Sequence, residues 1–267
     1  MDLIINQAQM SKQNFSSSPK VSIVMPSYNS ASCIAQAIDS VIRQDFSDWE
    51  LLIVDDASDD GTPDLVRSRY LHDPRISIHV LSQNQGAAIA RNTAIERARG
   101  RFIAFLDSDD YWFPEKLASQ VPALETSDAC LAFSQYKIMQ GDDETSAVIA
   151  NAPLNLHYAD LLRGNPIGCL TAVYDTKKTG KVLMPLVRRR QDWGLWLRLL
   201  RGGQRAIGLQ KPLAVLRIRK GSLSANKVRS TIANYRLLRT EGQLDPARAI
   251  WGAALHALSA ISRRWNR

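Results

Sequence analysis

The sequence predicts an α/β fold: a mostly parallel sheet with helices on both faces and a helical C-terminal extension. Three observations carry that prediction. Short β-rich runs alternate with helical patterns through the first half, a pitch that implies parallel strands joined by crossover helices. Three of those runs stop at polar residues, Ser27-Tyr28-Asn29, Asp55-Asp56 and Asp107-Ser108-Asp109, and open parallel sheets bind ligands outside the carboxyl ends of their strands. Past residue 126 the alternation loosens, and helical spacing recurs from Trp193.

The elements follow in order. Val21 to Met25 is a strand ended by Pro26, and Ile34 to Ile42 has helical spacing with Ile34, Ala37, Ile38 and Val41 on one face. Glu50 to Val54 is the second strand, Gly61 to Tyr70 a helix, and Ile76 to Leu81 the third strand. Gly86 to Arg99 is an alanine-rich helix closed by Gly100 as its C-cap. Arg101 to Leu106 is a strand, Pro114 opens another helix, Cys130 to Ile138 is a strand, and Gly141 to Thr145 is an acidic turn. Residues 151 to 190 carry little periodicity and read as loops around a second substrate. Trp193, Trp196, Leu197 and Leu200 then recur at helical spacing before Gly202-Gly203, and Lys211 to Lys220 alternates like a strand.

The run 102–112, Phe-Ile-Ala-Phe-Leu-Asp-Ser-Asp-Asp-Tyr-Trp, is the most informative stretch. A buried strand ends at three carboxylates, Asp107, Asp109 and Asp110, which repel one another unless a positive charge lies between them. A hard divalent cation, which also grips phosphate oxygens, is the natural occupant. The plainer alternative is a turn of N-capping aspartates before the next helix.

Composition bounds the function. The 267 residues fit one large domain, or one domain with a C-terminal extension, and the 45% apolar content supplies an ordinary core. Residues 1–19 read as a polar, disordered leader without the apolar block of a signal peptide, and no window reaches the roughly 18 consecutive apolar residues of a membrane span. Three scattered cysteines, Cys33, Cys130 and Cys169, have no metal-ligand spacing and read as reduced residues of a cytoplasmic protein. The net charge of +8 is uneven: Lys177 to Arg239 holds seventeen Lys or Arg and one acid, Asp192. Nucleic acid, phospholipid and a phosphorylated substrate are the anionic partners this admits. There is no Gly-x-Gly-x-x-Gly after the first strand and no P-loop, which disfavours dinucleotide and P-loop chemistry.

Four segments occur in order: Val-Ser-Ile-Val-Met-Pro-Ser-Tyr-Asn (21–29), Val-Asp-Asp-Ala-Ser-Asp-Asp-Gly-Thr (54–62), Ala-Arg-Asn (90–92) and Phe-Leu-Asp-Ser-Asp-Asp (105–110). Together they resemble the nucleotide-sugar-binding domain of family 2 glycosyltransferases, the inverting GT-A enzymes, and Arg-Gln-Asp-Trp (190–193) extends the likeness. The resemblance implies a Rossmann-like GT-A fold over residues 20–225, with a nucleotide-sugar half (20–120) and an acceptor half (121–225). It also implies roles. Tyr28 stacks on the base, Asp56 accepts from the uracil edge, and Arg91 approaches the nucleotide. Asp107 and Asp109 form the Asp-x-Asp, the first on the ribose side and the second holding Mn²⁺ or Mg²⁺ on the diphosphate. Asp192 is the base that deprotonates the acceptor hydroxyl. In the family a Glu more often precedes that Asp; here Gln191 stands in its place. An ordinary helix N-cap is the structural alternative for Asp192.

The basic stretch from Lys211 to Lys220, with the helix after Asn226 that carries Lys227, Arg229, Arg236 and Arg239, resembles the C-terminal part of transferases that build bacterial surface polysaccharides; residues 226–267 form the basic helical extension. That likeness implies a UDP-sugar donor, an acceptor saccharide on a polyprenyl diphosphate, and attachment at the inner face of the cell membrane. From Ala247 to Trp265, Arg248, Gly252, His256, Ser259 and Arg263 form a narrow polar stripe on an otherwise apolar helix, a pattern suited either to a membrane interface or to docking on the core. A catalytically silent nucleotide-sugar binder is the competing reading. A specific nucleic-acid partner is disfavoured, because no recognition module or interleaved aromatics accompany the charge.

Overall fold

The computed structural model describes residues 18–141, 143–218 and 227–254. The expected leader, apart from its last two residues, lies outside them, as do residue 142, the 219–226 stretch and everything from Leu255 onward, with His256, Ser259 and Arg263 of the expected polar stripe. Strand β1 (Val21–Ser27) is followed by α1 (Ile34–Ile42), β2 (Trp49–Asp55), α2 (Thr62–Tyr70), β3 (Ile76–Val80), α3 (Ala87–Arg97) and β4 (Phe102–Phe105). These four strands lie parallel in the order β3-β2-β1-β4. The second half adds β5 (Tyr111–Trp112), α4 (Lys116–Glu125), β6 (Leu131–Gln140), β7 (Asp143–Ala150) and β8 (Asn155–His157). It continues through α5 (Tyr158–Leu161), β9 (Val173–Asp175), α6 (Thr176–Thr179), α7 (Gln191–Leu200), β10 (Arg205–Ile218) and α8 (Lys227–Thr240), and α9 spans residues 246–254. The sheet runs on from β4 through β9, β6, β10 and β5, with β9 antiparallel to both its neighbours and β6 parallel to β10.

Side chains alternate across this sheet and build a core on each face. Val24, Leu52, Val54, Ile103 and Phe105 face α3, α7 and α8, where Trp193 and Trp196 are fully buried. Ile23, Met25, Leu51, Ile53 and Ala104 face α1, α2 and α4. Burying each large apolar side chain contributes about 1.5–3 kcal/mol over leaving it exposed, so both helical layers are held by transfer energy.

Several boundaries differ from expectation. Pro26 does not end β1: the strand continues to Ser27, because β4 pairs with β1 only as far as Val24 and Pro26 needs no donor on that side. Helix α3 closes at Ala98, which turns extended (φ −56°, ψ 133°), so Gly100 is not the C-cap. Gly100 instead lies against β1, where a Cβ would sit 2.6 Å from the Ser22 nitrogen. The acidic turn is narrower than predicted, since β7 begins at Asp143.

Helix α9 docks on the core through Ala249 and Ala253, and a Cβ at Gly252 would meet the Leu162 carbonyl oxygen at 2.9 Å. Gly252 therefore belongs to the buried face rather than to a solvent-facing polar stripe; lacking a side chain, it permits the close approach. Ile250 and Trp251 remain exposed. Among the described residues no helix is long and apolar enough to cross a membrane, and all three cysteines are free.

Candidate active site

At the carboxyl end of β1 the chain turns sharply. Asn29 adopts a left-handed backbone (φ 47°), as do Ala57 beyond β2 (φ 60°) and Arg190 before α7 (φ 66°). Each lies within two residues of a predicted site residue, namely Tyr28, Asp56 and Asp192. Non-glycine residues in this region cost on the order of 1 kcal/mol each and persist where surrounding bonds hold them. Here Asn29 is latched to the β2 turn: its N–H donates to Ser58 Oγ (2.9 Å) and its side chain accepts from Asp59 N (3.1 Å). Tyr28, half-exposed at 51%, is thereby presented at the rim.

The two acids after β2 divide their work. Asp55 accepts from Ser27 Oγ (2.8 Å), Ser58 N (2.8 Å) and Ser58 Oγ (2.6 Å), which is turn construction. Asp56 is buried, and its two oxygens accept from Gln85 N and Gly86 N, both at 2.7 Å. It therefore moulds the loop entering α3, where Gly86 has φ 92°. Each of its oxygens keeps a further lone pair for a ligand donor.

On α3, Arg91 reaches across the sheet end. Its Nη2 donates to Asp107 Oδ1 (2.5 Å) and its Nη1 to Gln191 Oε1 (2.8 Å). Burial opposes its charge, but the Asp107 carboxylate outweighs that and holds the guanidinium firmly protonated. Ser108 is pinned to Ser30 (Oγ to Oγ 2.8 Å). Asp109 offers its backbone oxygen to Arg217 Nε (2.6 Å), and Asp110 Oδ1 accepts from Arg217 N (3.0 Å). Arg217 also bonds Gln36 and lies 5.8 Å over the Tyr111 ring. Asp110 thus supports the loop from beneath. Burial, followed by the charges of Asp107 and Asp109, pushes its carboxyl well above the usual range.

This cluster fits a hard divalent cation. Asp107 and Asp109 are partly exposed carboxylates beside a buried third acid that feels their repulsion. Among the described residues no group of three His, Cys, Asp or Glu side chains is arranged to hold a metal alone. A cation here would complete its shell from phosphate and water oxygens, the usual habit of Mg²⁺ at nucleotide sites.

Helix α7 carries the fifth component. It begins at Gln191, with Arg190 as N-cap, so Asp192 sits inside the first turn and is not the cap. Asp192 Oδ2 accepts from Asn165 Nδ2 (3.0 Å). Burial dominates and raises its pKa, against the lowering effects of the Trp193 N–H, Arg190 and Arg91. A carboxyl raised this way is a stronger base when ionised.

The structure thus gathers Arg91, Asp107, Gln191 and Asp192 around one point, and places Tyr28 and Asp56 on adjoining turns of the same sheet end. Sequence reasoning missed three contributors. Asn165 lies in the unpatterned 151–190 stretch. Arg217 acts only because β10 runs beside the acid loop. The Cys169 thiol lies among Arg91, Asp107 and Asp192; burial first, and then the surrounding carboxylates, push its pKa well up, so it lines the site as a neutral group.

Comparison with known proteins agrees with this geometry. The Glycosyl transferase family 2 model matches residues 22–175. TuaG of Bacillus subtilis (strain 168), named for teichuronic acid biosynthesis, is 39% identical over 92% of this chain and 98% of its own. WfgD of Escherichia coli, named as a UDP-Glc:α-D-GlcNAc-diphosphoundecaprenol β-1,3-glucosyltransferase, is 38% identical over 78% of this chain and 80% of its own. Among solved structures, S. aureus TarS 1–349 in complex with UDP-GlcNAc superposes with a TM-score of 0.68 at 23% identity, covering 86% of this chain and 69% of TarS 1–349. The fold is therefore GT-A, and the chain belongs to glycosyl transferase family 2.

Proposed function

We propose that this chain is an inverting, divalent-cation-dependent transferase that moves a hexose from a UDP-sugar to a saccharide carried on a polyprenyl diphosphate. We place it at the inner face of the cell membrane, in bacterial surface polysaccharide synthesis. The observation that carries the reading is Arg91, which bonds Asp107 of the nucleotide half and Gln191 beside Asp192 of the acceptor half. The names of TuaG and WfgD supply the substrate class.

Each residue has a physical task. Tyr28 offers an exposed ring to a base. Asp56 offers an acceptor to the uracil N3–H, which cytosine lacks. Asp107 and Asp109 would hold Mn²⁺ or Mg²⁺, which when bound offsets negative charge on the diphosphate. Asp192 takes the proton of the acceptor hydroxyl as that oxygen bonds the anomeric carbon from the face opposite UDP. The bond from that carbon to the diphosphate oxygen breaks, UDP departs with the electron pair, and the configuration inverts. Asn165 orients the Asp192 carboxylate. The leader (1–19), the two halves meeting near residue 120, and the basic extension from 226 remain the domain division we favour.

The test is UDP release by purified protein with a panel of UDP-sugars, Mn²⁺ or Mg²⁺, and a GlcNAc-diphosphate-lipid analogue. Release that depends on acceptor, vanishes with EDTA, and collapses in Asp109→Ala and Asp192→Asn supports the reading. Tight UDP binding without turnover across donors and acceptors would instead identify a silent binder.

A further inference from the structure

Outside the site just described, a cleft of about 830 Å³ opens between the segment preceding α7 and helix α8. Arg188 and Arg189 line one wall, Arg236 and Arg239 the other, and Ile232 and Leu237 supply apolar surface between them. Neither wall carries an acid: between Thr176 and Thr240 the sole carboxylate side chain is Asp192. Arg188, Arg236 and Arg239 are exposed, and Arg239 is steadied by its bond to the Leu244 carbonyl oxygen (2.5 Å).

The cleft is built onto the helix that bears the base. Arg190 Nε donates to Asn234 Oδ1 of α8 (3.1 Å). Leu237 packs against α7 at Gly194, where a Cβ would lie 3.1 Å from Leu237 Cδ1. A ligand seated between these walls therefore lies against the segment that leads into α7.

We infer that this cleft holds the isoprenoid diphosphate of the acceptor, with the arginines on the two phosphates and the prenyl chain along Ile232 and toward the exposed Leu186. The inference rests on the transferase reading above. Its chemistry is specific: arginines bind phosphate through charge-assisted, forked hydrogen bonds, and the adjoining apolar surface suits a ligand that is anionic at one end and hydrocarbon at the other. A membrane headgroup alone would explain exposed arginines, but it would not need a cleft tied to α7.

Two measurements on the full chain decide it. With UDP saturating, so that the nucleotide site is filled, farnesyl diphosphate binding is followed by calorimetry for wild type and for R188A/R236A. Loss of two charge-assisted bonds predicts at least a tenfold weaker affinity in the variant. In parallel, kcat/KM is compared for one saccharide on a diphosphate-lipid and on an uncharged alkyl chain. The wild-type preference for the diphosphate acceptor is expected to fall about tenfold or more in R188A/R236A. An unchanged preference, or farnesyl diphosphate binding indifferent to both arginines, overturns the inference while leaving the transferase reading intact. Failure of both acceptors to release UDP strikes that reading instead, and the calorimetry still decides the cleft. Binding to phosphatidylglycerol vesicles that needs both arginines, without farnesyl diphosphate binding, would mark a headgroup site and also overturn it.

Discussion

Asn165 donates its side-chain amide to Asp192 Oδ2 across 3.0 Å, joining an irregular loop to the first turn of α7. An N–H aimed at a carboxylate favours its ionised form, so this bond opposes the upward pull of burial on Asp192. With Asp192 as the proposed base, activity requires its ionised form and should rise as pH climbs through its pKa. Asn165→Ala should therefore move the acid limb of kcat/KM to higher pH, with about a tenfold loss below that limb and a smaller one above it. Asn165→Asp should move the limb further the same way, since a second carboxylate repels the first. A loss of equal size at every pH would mean that Asn165 only shapes the loop.

Gln191 is the neutral partner of Arg91, at 2.8 Å. Replacing it with Glu puts a negative charge one residue from Asp192 and gives Arg91 a second carboxylate beside Asp107. The nearby charge raises the pKa of the base, while the firmer pairing draws Arg91 away from the nucleotide side. Gln191→Glu is expected to shift the acid limb upward and to weaken UDP binding several-fold. Both changes should shrink in high salt, which screens the added charge. A variant with wild-type pH dependence would place Asp192 out of electrostatic reach of position 191.

Among the described residues, Tyr28 is the one large aromatic presented openly at the sheet end, at 51% exposure. Stacking of a base on an aromatic ring contributes about 1–3 kcal/mol. Tyr28→Ala should therefore weaken UDP about 10- to 100-fold by calorimetry, and Tyr28→Phe should retain most of the affinity. Equal losses in both variants would assign the effect to the hydroxyl.

The legible parts of this molecule were those written in local periodicity or at strand ends. Helix α1 spans the same residues, Ile34–Ile42, that the apolar spacing marks. The acids after β2 and β4 stood out because a buried run stops at charge. Elements of two or three residues, such as β5, β8 and β9, are too short to show a period. Arg217 was invisible for another reason: its bonds to Asp109 and Asp110 join residues more than a hundred positions apart. Gly252 was misread because a glycine in a helical pattern looks polar on paper, whereas here its missing side chain lets α9 reach the Leu162 carbonyl oxygen.

Gly100 supplies a test of the fold independent of catalysis. It was assigned to a helix cap, where alanine would cost only about 1 kcal/mol. In the structure it passes β1 so closely that a Cβ would sit 2.6 Å from Ser22 N and 2.8 Å from the Val21 carbonyl carbon. Its own N–H donates to Ser22 Oγ (2.8 Å), which in turn donates to Glu50 Oε1 (2.6 Å). The atoms in the way are backbone of a central strand paired on both sides, so they cannot move aside without breaking the ladder. Overpacking of this kind costs about 1–3 kcal/mol, and disturbing the buried Ser22–Glu50 bond adds to it. Gly100→Ala should lower stability by about 3 kcal/mol in urea titration, whereas Gly61→Ala, where a Cβ meets nothing within 4 Å, should cost only the strain of its left-handed backbone. Equal costs at the two positions would mean that β1 and the segment before β4 are not packed this closely.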